Sequence, residues 1–209
     1  MIAPALLLLG GYLLGSLQAG LLVGRIYRGV DVREFGSGKT GFTNTLRTLG
    51  LGAAAIVLSI DIAKGALPVL VGHWLLDDPW AASLGGTGAV VGHTWPLFAA
   101  FRGGRGVATS FGAFVAIAPL AALALLVTGA TVLAVTRYVS VMSMTGMLVG
   151  LAMLVALVAS GRLDPAYLLY GVAVTLSVEV NHRSNLRRLL AGTEPKLGQG
   201  GVRRSSRGT

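Results

Sequence analysis

Six long apolar stretches, at residues 2–23, 51–76, 80–101, 107–136, 139–160 and 166–180, are divided by short polar connections. About 20 apolar residues in a helix cross a hydrocarbon core of roughly 30 Å, and in lipid only helices and closed barrels satisfy every backbone polar group. The chain therefore reads as an all-α polytopic membrane protein. Charged residues are 12% of the 209 and hydrophobic ones 54%, whereas a soluble domain carries about a quarter charged. The first stretch has no basic segment before it and no clear cleavage site, so it reads as a retained span and not a signal peptide.

The stretch at 107–136 decides the topology. As one tilted helix it would place the basic connections around Arg25–Arg47 and Arg102–Arg105 on one side and the basic C-terminal segment on the other. As a hairpin turning near Pro119 to Ala122 it places all three groups on one face and leaves Asp77, Asp78, Arg162 and Asp164 opposite. Basic residues in short connections stay cytoplasmic. The hairpin is preferred, giving about seven transmembrane helices, some short, with the N-terminus outside and the C-terminus cytoplasmic. Residues 1–194 form a single transmembrane domain and residues 195–209 a basic, disordered cytoplasmic tail. The net charge of +9 is the excess of a bacterial inner-membrane protein, lies near anionic lipid and implies no nucleic acid.

Three polar segments share that face. The first, "GSGKTGFTNTLRTLG", contains Gly-Lys-Thr, yet the first glycine of a Walker A loop would fall on Arg33 and no strand precedes it. It reads instead as an anion nest: Gly36, Gly38 and Gly41 let the backbone bend, while Ser37, Lys39, Thr43, Asn44 and Arg47 supply donors or charge. The second, "GHTWPLFAAFRGGRGVAT", sets Arg105 among Gly103, Gly104 and Gly106, just before a helix whose N-terminal amides favour an anion. In the third, "NHRSNLRRLLAGTEPKLG", His182 and Asn185 stand three apart on one face of a continuing helix.

Two further polar groups lie at membrane depth. Asp61 and Lys64 are neighbours on one helix face and are expected to pair. Ser140, at the start of another span, reads as a helix cap or a phosphate donor. The chain has no cysteine, and His73, His93 and His182 are scattered, so neither a metal nor another cofactor is expected. His182 is taken as the only histidine on the cytoplasmic side.

The order and spacing of Gly15-Ser16, "GSGKTGFTNTLRTLG", "DIAKG", "GHTWPLFAAFRGGRGVAT", "RYVS" and "HRSNLRRLLAGTE" resemble the acyl-phosphate:glycerol-3-phosphate acyltransferases, the PlsY family, from Gly15 to Glu194. The resemblance implies seven spans, a cytoplasmic site, and transfer of a fatty acyl group from acyl phosphate to the 1-hydroxyl of glycerol 3-phosphate. The products would be lysophosphatidic acid and inorganic phosphate. It further implies that Ser37, Thr43, Asn44 and Arg47 fill a first phosphate-binding motif. Arg105 stands at a position usually held by lysine, Ser140 at a family serine, and His182 with Asn185 at an H-x-x-N motif that Glu194 follows. Lys39 replaces the usual asparagine, and Gln18 lies near where a proline often follows Gly-Ser.

On that reading Ser37, Arg47 and His182 are the catalytic candidates, and Lys64 joins the phosphate-binding cations. The thioester-type pattern His73-x-x-x-x-Asp78 falls on the opposite face and is read as coincidence. The alternative reading is a membrane carrier or binding protein for a phosphorylated metabolite, built from broken helices.

Overall fold

The computed structural model describes residues 2–203, so Arg204 and Arg207 of the basic tail lie outside it. The described residues form ten α-helices: α1 (Ile2–Gly15), α2 (Ala19–Arg28), α3 (Phe42–Leu49), α4 (Leu51–Leu70), α5 (Pro79–Thr94), α6 (Val107–Ile117), α7 (Pro119–Thr136), α8 (Val139–Ala159), α9 (Tyr167–Asn181) and α10 (Arg183–Leu190). Among the described residues, four helical segments are long and apolar enough to cross a membrane: Ile2–Arg28, which contains the α1–α2 break, Leu51–Leu75, Pro119–Thr136 and Val139–Ala159. The helices α5, α6 and α9 are shorter.

Small residues set the closest helix contacts. Added methyl groups at Gly11 and Gly15 of α1 would overlap the carbonyl oxygens of Gly85 and Ala89 of α5, and one at Gly88 would overlap Leu8 O. In lipid, where apolar side chains gain nothing by leaving solvent, such close backbone approach is a main source of helix association. The same device joins α4 to α6, where methyl groups at Gly65 and Gly112 would overlap Thr109 O and Ile62 O. Phe114 of α6 and Tyr170 of α9 meet edge to face at 5.2 Å, and the Tyr170 hydroxyl donates to Ser110 O at 2.7 Å.

The expected boundaries hold for α8 and α9 to within a residue or so, and the run at 107–136 does break, at Ala118, with Pro119 opening α7. The first apolar run differs from expectation: it is broken at residues 16–18. The freed backbone groups find buried partners, as required away from water. Ser16 Oγ donates to Tyr12 O, Gln18 Nε2 to Gly15 O at 3.3 Å, and Lys64 Nζ to Leu17 O at 2.9 Å. His182 also departs from expectation, since it is the joint between α9 and α10 and not part of one continuing helix.

Residues 195–203 do not hang free as a disordered tail. Leu197 N donates to Arg137 O at 2.7 Å, Gly36 N to Val202 O at 3.0 Å, and Phe35 pairs with Arg203 in an antiparallel bridge. Arg203 also reaches Glu34 at 2.9 Å, and Lys196 Nζ lies 5.5 Å from the centre of the Tyr138 ring. The glycines at 198, 200 and 201 adopt positive φ and turn this segment back across the polar end of the bundle.

Candidate active site

The three polar segments converge on one cavity of about 880 Å³. Its polar end is lined by Ser37, Lys39, Thr43, Arg47, Arg105 and His182, together with Asn185, Arg188 and Glu194. Its other wall is apolar, with Leu58 and Ile62 of α4, Phe111 of α6 and Leu125, Leu126 and Leu133 of α7.

Arg47 projects from α3, an amphipathic helix with Gly41 at its N-cap. Its Nη2 lies 3.5 Å from Pro195 O and from Lys196 O, while its Nε is buried without an acceptor among the described residues. Arg105 Nε is buried and unpartnered in the same sense. Two guanidinium groups that keep donors unfilled thus line one cavity, an arrangement that selects an oxyanion. Burial lowers the basicity of Arg105 to about 10, with the neighbouring Arg188 and Arg47 adding to the fall and Glu194 opposing it. Burial likewise lowers Lys39, helped by Arg105, Arg102 and Arg183. An anion arriving here meets several cations that already repel one another.

Several residues expected to bind phosphate have other occupations. Asn44 is 2% exposed and closes the first loop: its Nδ2 donates to Val32 O and Lys39 O, both at 2.8 Å, and its Oδ1 accepts from Ser37 N at 3.0 Å. Every strong hydrogen-bonding position on that amide but one lone pair is engaged. Ser140 Oγ donates to Glu194 at 2.7 Å, as do Asn185 Nδ2 at 2.6 Å and Arg188 Nε at 2.7 Å. Glu194, a carboxylate that would repel phosphate, thus ties α8 to α10. Burial pushes its carboxyl up, but these hydrogen bonds outweigh burial and hold it below its usual value.

Lys64 is not a cavity residue, because it pairs with Asp61 at 2.9 Å and caps the α1–α2 break. Gly38, Gly103, Gly104 and Gly106 also stay behind the lining. Val107 and Ala108 do face the cavity, so the N-terminal end of α6 opens onto it as expected. Neither His73 nor Asp78 touches it: His73 Nδ1 meets the Tyr167 hydroxyl at 2.9 Å, and Asp78 caps α5 through Trp80 N and Ala81 N. The sequence reading missed His93 and Asp61 as lining residues, so His182 is not the only histidine at the site.

His182 is 2% exposed, and its Nδ1 lies 2.8 Å from Val178 O. A carbonyl only accepts, so Nδ1 carries the proton and Nε2 keeps a lone pair. Burial, followed by the charge of Arg105, lowers this imidazole to about 4, so it is neutral at pH 7. The unfolded chain, near 6.5, takes up a proton between pH 6.5 and 4 that the folded chain refuses. Stability from His182 is therefore full above pH 6.5 and declines as pH falls toward 4, by up to about 3 kcal/mol. Melting temperatures of the ligand-free protein across that range should fall with acidity, and His182→Gln should flatten the slope. An unchanged slope would place the titration elsewhere.

The family profile described as glycerol-3-phosphate acyltransferase matches residues 5–192. The chain belongs to the glycerol-3-phosphate acyltransferase family. It is 44% identical over 199 residues to the glycerol-3-phosphate acyltransferase of Parasynechococcus marenigrum (strain WH8102), covering 95% of this chain and 92% of that one. For the same-named protein of Halalkalibacterium halodurans the identity is 42% over 197 residues, covering 93% and 95%. Its fold matches the crystal structure of PlsY, an integral membrane glycerol 3-phosphate acyltransferase, in the glycerol 3-phosphate form, with TM-score 0.85, 32% identity and 93% and 96% of the two chains covered. The lysophosphatidic acid form of PlsY matches with TM-score 0.82 and 31% identity, over 93% and 95%. Like those glycerol-3-phosphate acyltransferase structures, this is an integral membrane protein, and its segment 195–203 lies beyond the part of the chain that the family profile matches.

Proposed function

We propose that this protein transfers a fatty acyl group from acyl phosphate to the 1-hydroxyl of glycerol 3-phosphate, releasing lysophosphatidic acid and inorganic phosphate, at the cytoplasmic face of a bacterial inner membrane. Seven crossings with the N-terminus outside put Arg25, Arg47, Arg105 and Arg188 together on that face. The observation that carries the reading is the pair of guanidinium groups, Arg47 and Arg105, that line one cavity with donors unfilled among the described residues, opposite an apolar wall. Two phosphate groups bring roughly four negative charges at pH 7, and an acyl chain needs the wall formed by Leu58, Ile62, Phe111 and Leu125.

Acyl phosphate is an activated anhydride, so the protein chiefly orients the attacking hydroxyl and stabilises developing charge. The hydroxyl oxygen bonds to the acyl carbon, the bond from that carbon to the phosphate oxygen breaks, and the hydroxyl proton ends on phosphate. Neutral His182, with its lone pair at Nε2, accepts a hydrogen bond from the hydroxyl and aims it. At a basicity near 4 it is a weak proton acceptor compared with the departing phosphate. Ser37 supplies a donor beside Arg47, while Asn44 and Glu194 hold the donors in place.

The test is phosphate release by purified protein given palmitoyl phosphate and glycerol 3-phosphate. Release should require both substrates and be absent when palmitoyl-CoA replaces palmitoyl phosphate. A folded protein that releases no phosphate would exclude the reading, and turnover of the thioester would exclude the donor.

A further inference from the structure

At the margin of the cavity, which Asp61 and His93 help to line, lies a charged cluster with no part in the chemistry above. Asp61 of α4 is 1% exposed, pairs with Lys64 Nζ at 2.9 Å and faces His93 Nδ1 of α5 at 3.4 Å. Among the described residues neither carboxylate oxygen has an aligned hydrogen bond, and the ion pair with Lys64 holds the group together. Ionisable groups are costly at such depth and call for a use.

His93 carries the loop that bears Arg105. Its carbonyl oxygen accepts from Gly104 N at 3.1 Å, and a methyl group at Gly103 would overlap that same oxygen. A methyl group at Gly104 would overlap His93 Nε2, so the loop backbone lies directly on the ring. The same carbonyl accepts from Gln18 Nε2 at 3.3 Å, and Gln18 Oε1 accepts from Thr40 Oγ1 at 2.6 Å. Thr40 belongs to the other cation-bearing loop, residues 36–41. Gln18 lies in the α1–α2 break, whose Leu17 carbonyl accepts from Lys64. Both loops are thus registered on one buried group: Asp61 holds the ring, His93 holds the Arg105 loop, and Gln18 passes the register to the loop before Arg47.

We propose that Asp61, His93 and Gln18 are positioning residues for the recognition of glycerol 3-phosphate, acting through the separation of the two phosphate-binding loops. This rests on the acyltransferase reading. A loop set by a ring and a single amide shifts when either is lost, and a small misplacement of a charged donor weakens binding strongly. The chemical step, which depends on the activated donor and on His182, is less affected.

Steady-state phosphate release should separate the effects in His93→Ala, Asp61→Asn and Gln18→Met. KM for glycerol 3-phosphate should rise at least about tenfold in each, with kcat within about threefold of wild type. His93→Gln, which keeps a polar ring substitute over Gly104, should recover part of the KM. Gln18→Met preserves volume and leaves the charged cluster intact, so it tests the relay even if the Asp61 variant fails to fold. The kcat–pH profile should be that of wild type in all of them. Unchanged KM in folded Gln18→Met and His93→Gln would overturn the proposal. A hundredfold fall in kcat with a displaced pH limb in His93→Gln would also overturn it, by making His93 a proton acceptor. Absence of turnover by wild type would instead be a failure of the acyltransferase reading.

Discussion

Arg47→Ala should lower kcat/KM for glycerol 3-phosphate by about 10³-fold, measured by initial rates of phosphate release. Helix α3 buries Asn44, Thr45 and Leu49 on one face and brings Arg47 to the cavity lining. The neighbours of its guanidinium are weak: two carbonyls at 3.5 Å, with Nε lacking an acceptor among the described residues. A phosphate would supply the missing acceptors with full charge, and charge-assisted forked contacts are about twice as strong as neutral ones. Arg47→Lys keeps the charge but loses the planar fork, and should recover no more than about a tenth of the activity. Because Arg47 is only half-buried and holds no other side chain, the melting temperature should move little. A variant within threefold of wild type would remove Arg47 from the site and leave Arg105 as the phosphate anchor.

The contrast between Arg47 and Asn44 shows what a sequence conveys about such a site. Both are hydrogen-bonding residues of one polar segment, and composition alone gives each the same task. The fold separates them: Arg47 faces outward with donors unfilled, while Asn44 faces inward and closes the loop on Val32 and Lys39. Ser140 and Glu194 divide from Arg105 in the same way. Spacing made α8 and α9 legible because each is an uninterrupted apolar run, and Pro119 announced the break after α6. Little in the first apolar run announces the break after Gly15, which depends on Lys64 arriving from α4, with Gln18 of the break itself donating back to Gly15 O. His93 was hidden for a related reason: its ring becomes informative only once Asp61 of another helix stands against it. Family resemblance supplied the activity, and geometry supplies the division between residues that meet substrate and residues that hold those in place.

Glu194→Ala should be the most disruptive of the non-contact substitutions, costing about 3 kcal/mol of stability and most of the activity. The carboxylate is 8% exposed and accepts three hydrogen bonds from side chains on two helices. Truncation leaves Ser140 Oγ and Asn185 Nδ2 as buried donors without an acceptor, and frees Arg188 beside Arg47 and Arg105. The loss divides into two measurable parts. Unsatisfied donors lower the melting temperature, while uncompensated charge draws α10 away from α8 and shifts His182 at the start of α10. Glu194→Gln keeps one acceptor oxygen but turns an amide donor toward groups that also donate, so it should lie between wild type and alanine in stability. Removing the competing cation tests the electrostatic part: Arg188→Gln in the Glu194→Gln background should regain stability. If that double variant is no more stable than Glu194→Gln alone, the role of Glu194 is hydrogen bonding to Ser140 and Asn185, and charge balance across the cavity contributes little.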